Sequence, residues 1–363
     1  ITLVDGDGFV VNDGGSMKTI PASDLTTYVQ SATSLDDLSD AQVINSNAGE
    51  TTAQSIYIGS EPSASDDAAV ANIGISSSSL SSVTTGDHNV GIGWRALKYN
   101  TQGGQNVAIG AMALRDNVLN SGNVAIGYQS MQDAKGGDYN TAVGNNAMRG
   151  TLDVNITGDY NVAVGVGTLK DLKSGANNTA LGAYALHENT DGDDNTAIGY
   201  HALKNLNHNS NGNKNTAVGY QAMLDATSAG GNSVVGYQSA HNITTGQYNI
   251  SMGSYSLNTL KTGGYNVALG NSALYKATGS YNTTVGHSSL YNVTGNNNTG
   301  LGKGAGNDIT SGSNNVIIGY LADVDEDNGS SSNQIVIGAN ATGQGNNYAV
   351  IGDEDIERLY AAE

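Results

Sequence analysis

The sequence predicts an all-β fold, a parallel β-solenoid of coils about 17 residues long, assembled as an elongated homo-oligomer. Three observations lead there: one short stretch recurs along most of the chain, its columns obey separate steric rules, and the composition cannot build a round core. The stretch is typified by Asn178-Thr-Ala-Leu-Gly-Ala-Tyr-Ala-Leu-His187. Its anchor, an Asn four residues before a Gly, returns as Asn89, Asn106, Asn123 and Asn140, then from Asn161 onward to Asn315. Most steps are 17 residues; those ending at Asn161 and Asn215 are 21 and 20, and those ending at Asn282 and Asn298 are 16.

With the anchor counted as zero, column three is always apolar, for example Ile109, Leu181 and Met252, and it is expected to form the core. Column two is Gly, Ala, Ser or Thr except at Val234 and Ile317. In a strand it points to the opposite face from column three, so it is expected to let another chain approach closely. Column four is always Gly, as at Gly93, Gly110, Gly182 and Gly219, suited to a turn with positive φ or a close backbone approach. Columns seven and eight, small and then Leu or Met in most copies, predict a second, shorter buried segment. A Gly three residues before most anchors closes the coil; Asn120 and Ala229 are the exceptions. The anchors themselves, among them Asn89, Asn106, Asn178 and Asn215, are assigned a structural role. A recurring buried amide is costly alone, but stacked copies about 4.8 Å apart can bond along the axis or cap backbone groups. One coil buries too few side chains to offset the entropy of ordering its backbone, so stacking and contact with other chains are required.

The composition agrees. The 363 residues include 50 Gly but only 2 Pro, 1 Phe, 1 Trp and no Cys, so the aliphatic residues that arrive in step with the repeat must make a long, thin core. Acidic residues number 33 against 14 basic, a formal net charge of -19, and no basic cluster is present, which sets nucleic-acid binding aside. Stability must come without disulfides. No apolar run of about 18 residues or more occurs. Starting at Ile1, the sequence reads as a fragment, a processed product, or part of a longer chain.

Four regions are expected: an attachment region at residues 1–52, degenerate first coils at 53–88, a regular shaft at 89–322, and atypical coils with a tail at 323–363. In the first, Leu3-Val4 and Phe9-Val10-Val11 flank Asp5-Gly-Asp-Gly8 and suggest a hairpin, and Ser23 is placed to cap a short helix. The two long repeats put extra residues around Thr151–Thr157 and Asn205–Asn211, expected to protrude as loops on a side suited to binding.

Candidate chemistry is sparse. The six His, with His201 and His208 the nearest in sequence, are accompanied by no Cys and no paired carboxylate, so they read as surface residues. Asp323, Asp325 and Asp327 alternate before Gly329 like the front of a calcium loop, but the closing acid is replaced by Gln334; they are the candidate cation ligands beside a plainer reading as a solvated acidic loop. Tyr residues are concentrated in two columns. One lies just before the Asn (Tyr139, Tyr160, Tyr248, Tyr265, Tyr281). The other lies just after the Gly (Tyr128, Tyr200, Tyr220, Tyr237, Tyr320), with Trp94. Their rings suit stacking on one another, and Tyr128, Tyr200, Tyr220 and Tyr237 are the candidate receptor-binding residues. No nucleophile triad or phosphate loop is discernible, and neither a cofactor nor an enzymatic activity is expected.

The unit Asn215-Thr-Ala-Val-Gly-Tyr-Gln-Ala-Met223 resembles the head repeats of trimeric autotransporter adhesins, which form trimeric left-handed parallel β-rolls, and it is similar to the repeat region of marine bacteriophage tail fibres. Phe9-Val-Val-Asn-Asp-Gly-Gly-Ser-Met-Lys18, Ala22-Ser-Asp-Leu-Thr-Thr-Tyr28 and Leu35-Asp-Asp-Leu-Ser-Asp40 resemble the stretch upstream of such repeats in the phage proteins. The resemblance implies a parallel β-roll assembled as an elongated homotrimer, a structural and adhesive fibre in the virion tail, extracellular, whose partners are its own copies, other virion tail proteins, and a host cell-surface polysaccharide or outer-membrane protein. It also implies an intramolecular chaperone following the shaft, with Val350–Ala362 as the approach to it and cleavage after Glu363. The alternatives are a bacterial trimeric surface adhesin and a polysaccharide-degrading tailspike.

Overall fold

A computed structural model describes residues 8–13, 16–21, 41–45, 54–59, 71–150, 156–207, 213–325 and 329–353. Among them every regular element is a strand. Strands β1 (Gly8–Asp13) and β2 (Ser16–Pro21) form an antiparallel hairpin in which Asp13 pairs with Ser16. The expected hairpin is thus displaced: Phe9-Val10-Val11 pairs forward with Lys18–Ile20, and not back with Leu3-Val4. The sequence Asp13-Gly-Gly-Ser16 supplies the two-residue Gly-Gly connection that such a pairing favours. Asp5 to Asp7 and the Ser23 cap lie outside the described residues.

The solenoid begins where β3 (Ala41–Asn45) pairs antiparallel with β4 (Gln54–Ile58). From there one parallel ladder adds a three-residue strand per coil, from β5 (Ile73–Ile75) through β11 (Thr179–Leu181) to β21 (Ala349–Ile351). The register never slips: Thr179, Ala180 and Leu181 stand opposite Thr196, Ala197 and Ile198, and the long and short repeats pair in the same columns as the regular ones. Extra residues are therefore absorbed outside the strand. Residues 151–155 and 208–212, the bulk of both insertions, lie outside the described residues.

The facing of the strand is the reverse of the expectation. Column two is the buried one: Ala108, Ala125, Ala180, Ala197 and Ala217 are fully enclosed by their own chain, while Leu181 and Met252 of column three are 46% and 47% exposed. The reason is volume. Columns seven and eight also point into the narrow lumen, with Ala96 and Leu97 or Ala185 and Leu186 fully buried, and column two packs directly on them. A Cβ on Gly300 would fall 2.8 Å from Leu290 Cγ of the preceding coil. Small residues in column two therefore make room for Leu and Met, and do not receive a neighbouring chain. The exception at Ile317 obeys the same rule. Ile317 is large where the preceding coil has Gly306 in column eight, whose added Cβ would stand 3.6 Å from Ile317 Cγ1. Tyr57 fills the lumen at the first coil, and the next coil answers with Gly74, whose Cβ would come within 2.7 Å of the Tyr57 ring.

Two glycine columns serve the axial spacing. A Cβ on Gly182 of column four, at φ 126°, would stand 2.6 Å from the carbonyl oxygen of Gly199 in the next coil. Gly158 of the closing column likewise faces the Gly175 carbonyl. Positive φ is not confined to glycine, however. Tyr139, Asn146 and Met148, in the columns before the Asn and at six and eight, have φ of 56°, 55° and 47°, and the same columns repeat the conformation along the ladder. Their N–H groups are directed to neighbouring coils, as in Tyr139 N–H to Ser121 O at 3.1 Å and Met148 N–H to Thr168 O at 2.9 Å. These bonds offset the cost of left-handed backbone in residues with a Cβ.

Candidate functional site

The anchor column is a buried ladder of amides. Asn106 donates its backbone N–H and its Nδ2 to Oδ1 of Asn89, at 3.0 and 3.1 Å, and Nδ2 also reaches the carbonyl of Asn120 at 2.8 Å. Asn178 repeats this set onto Asn161 and Gly192, and Asn215 onto Asn195 and Ala229. Both expected roles, axial bonding and backbone capping, are thus combined in one side chain. The row opens on Ser55, whose Oγ accepts from Asn72 N–H, and passes from Asn315 to Gln334. A second, outer ladder went unread in the sequence. Two residues before the anchor, Asp138 Oδ1 accepts Ser121 N–H at 2.8 Å, Asp159 Oδ1 accepts Asp138 N–H at 2.7 Å, and Asp193 does the same for Ala176. Its signal was available: Asp, Asn and Ser recur at that column, each able to accept a bond through a short side chain.

Since column two faces inward, the outward face of the strand carries columns one and three, bordered by the column before the Asn and the column after the Gly. Along the shaft this makes a continuous band of Val, Ile, Thr, Leu and Met, with Val162, Ile250 and Ile335 of column one also exposed. Aromatic rings stand on both borders. On one, Tyr139 stacks on Tyr160 at 5.4 Å between ring centroids, and Tyr265 stacks on Tyr248 and Tyr281 at 5.1 Å each. On the other, Tyr220 stacks on Tyr200 at 5.5 Å and on Tyr237 at 5.1 Å, while Tyr128 stands exposed farther up the same border. Ring faces inside the rows are taken by neighbouring rings.

Asp323 lies eight residues after Asn315, at the column that holds Leu186 and Leu203 in other coils. Its Oδ1 accepts Val324 N–H at 2.8 Å and its Oδ2 accepts Asp308 N–H at 2.9 Å. Burial pushes its pKa up to about 6, against the pull of those backbone donors. Asp325 is described beside it, and Asp327 lies outside the described residues. Among the described residues no group of three or more His, Cys, Asp or Glu is placed to hold a metal.

A charged corner runs along columns nine and ten. Arg115 grips Asp116 with Nε and Nη2, at 2.6 and 2.7 Å, and reaches Asp133 Oδ1 at 3.3 Å. The hydrogen bond to Asp116 raises the guanidinium pKa, and burial raises that of Asp133. Farther along, burial lowers the His187 imidazole, with Asp171 at 3.9 Å pulling the other way. His201 stacks on Tyr200, and His208 lies outside the described residues. On this corner Arg115 and His187 face acids, while Lys98 lies over the Tyr99 ring. Neither a scan of protein-family models nor a comparison with curated proteins gives a match to this chain.

Proposed function

We propose that the chain is the structural and adhesive fibre of a bacteriophage tail, working as a parallel homotrimer that joins other virion tail proteins to a polysaccharide or outer-membrane protein on the host surface. The observation that supports this is the outward apolar band. Seventeen strands in unbroken register, about 4.8 Å apart, present a strip roughly 80 Å long that water would otherwise wet. Contiguous apolar strips of that extent mark contact surfaces. Three chains turning their strand faces to a common axis bury the band and leave the charged corner outward. The resemblance of the repeat to phage fibre and trimeric adhesin repeats supports the same assembly. Stiffness and threefold repetition suit attachment, because weak sites on one rod gain affinity through effective concentration.

The test is the native mass by light scattering after size exclusion, followed by binding of the labelled protein to intact host cells. A mass of three chains with elongated hydrodynamics and saturable cell binding is expected. A monomer overturns the assembly; a trimer that releases reducing ends from host polysaccharide replaces the adhesive reading with a tailspike.

A further inference from the structure

The two aromatic borders of the strand face exclude one another. Eleven coils carry a Tyr or Trp on one border, six carry none, and no coil carries one on both. Coils with Tyr before the Asn have Asn145, Val166, Ser254, Asn271 and His287 at the other border. Coils with Tyr or Trp after the Gly have His88, Gly122, Asp194, Lys214, Gly231 and Asn314 before the Asn. Within one chain nothing explains this. The three strand residues and the turn residues beside them lie between the borders of a coil, and the ring contacts among the described residues never join one border to the other. The contacts each border makes in its own chain run along the axis instead: a Cβ on Gly122 would meet Tyr139, and one on Gly231 would meet Tyr248, each on the same border in the next coil.

We infer that the two borders of the same coil meet between chains, so that the Tyr of one chain fills the space left by the small or polar residue of its neighbour. This rests on the parallel homotrimer proposed above and deepens it. Three strand faces around an axis form a triangle, and each corner joins the border before the Asn of one chain to the border after the Gly of the next. A rule that holds within a coil requires partners at the same height. Cyclic symmetry in register supplies them at every level, whereas an antiparallel pair would match the first coil with the last. Lys214 fits the scheme, since it would lie over the partner's Tyr220 as a cation over a ring. The receptor-binding candidates Tyr128, Tyr200, Tyr220 and Tyr237 become corner residues of the assembly, and receptor contact moves to the sides of the coil.

The chain has no cysteine, so crosslinking is free of background. The variant Gln105→Cys/Ala111→Cys places one thiol on each border of a single coil; Gln105→Cys/Ala183→Cys places them four coils apart. Treated as the native full chain with a short bismaleimide, the first is expected to run as a covalent three-chain species on a denaturing gel. The second, and each single variant, is expected to run as one chain. Light scattering is recorded on the same samples. A three-chain mass without crosslinking in the same-coil variant, or with equal crosslinking in the mismatched one, overturns the pairing and leaves the trimer standing. A one-chain mass removes both. As an independent readout, Ser254→Tyr, which puts rings on both borders of one coil, is expected to lower the fraction of trimer at micromolar concentration several-fold, and adding Tyr248→Ser to restore it; no loss in the single variant overturns the pairing.

Discussion

Oδ1 of Asn161 accepts both the backbone N–H and the side-chain Nδ2 of Asn178, at 2.9 and 3.0 Å, while Asn178 Nδ2 also holds the carbonyl of Gly192 at 2.8 Å. Asn178→Ala removes that donor and strips the acceptor from Asn195, whose N–H and Nδ2 both end on Asn178. Each buried hydrogen bond lost from the row costs about 1–3 kcal/mol, so a loss of roughly 3 kcal/mol is expected in urea unfolding. An unchanged midpoint would show the amide row to be decorative.

Lumen volume is predicted to be conserved between neighbouring coils. Gly306→Leu restores the usual column-eight residue but crowds Leu290 and Ile317, and should cost about 1–3 kcal/mol. Adding Ile317→Ala should recover most of it in the same assay, a non-additivity that independent sites would not give.

Gly158→Ala sets a methyl group against the carbonyl of Gly175. Because both belong to backbone stacked at fixed spacing, neither can withdraw. A lower thermal midpoint and faster amide exchange in the two coils concerned are expected, whereas Ser174→Ala, which removes only an exposed hydrogen bond to Asp191, should change both far less.

The coils near Asp323 should weaken as pH rises. The unfolded carboxyl titrates near 3.8 and the folded one near 6, so the contribution of the protonated form is fully present below about pH 4 and lost by the time pH has passed 6. That amounts to about 3 kcal/mol at most. Hydrogen exchange at pH 4 and pH 7, corrected for intrinsic rates, should show protection of residues 315–325 falling with pH, and Asp323→Leu should abolish the difference. Protection that rises with pH would contradict the assignment.

Charging the outward face tests assembly apart from folding. Leu181→Asp and Ile198→Asp alter side chains that a single chain already leaves in part to solvent, so far-ultraviolet circular dichroism should persist while the three-chain mass falls to one. A trimer that survives both substitutions would place the interface elsewhere.

The sequence revealed the period, the parallel register and the amide row, because each depends only on residues recurring at a fixed separation. It misassigned the inside of the strand. Alternation says that Ala180 and Leu181 face opposite ways, but which one enters the lumen depends on what Leu186 and its neighbours already occupy, a quantity that exists only once the coil has closed. Asp323 was read as part of an acidic run; counting from Asn315 would have placed it in the leucine column. The left-handed backbone at Tyr139, Asn146 and Met148 had no local signature, since inter-coil hydrogen bonds and not glycine hold it there. The mutual exclusion of Tyr248 and Tyr265 with aromatic residues at Ser254 and Asn271 was also in the sequence, but acquired meaning only when both borders were found on one outward face.

The Asn row gives the molecule a direction. Backbone bonds between coils run both ways, Thr179 N–H to Asn195 O toward the C-terminal end and Gly182 N–H to Val164 O toward the other. The bonds onto the anchor amides run one way only: each N–H and Nδ2–H aimed at an Oδ1 points back toward the preceding coil. The outer ladder runs the other way, with Ser121 N–H on Asp138 and Asp138 N–H on Asp159, so each coil is bonded differently to the one before it and the one after it. Parallel copies would share that direction, so the two tips of the fibre would present different unfilled donors and acceptors.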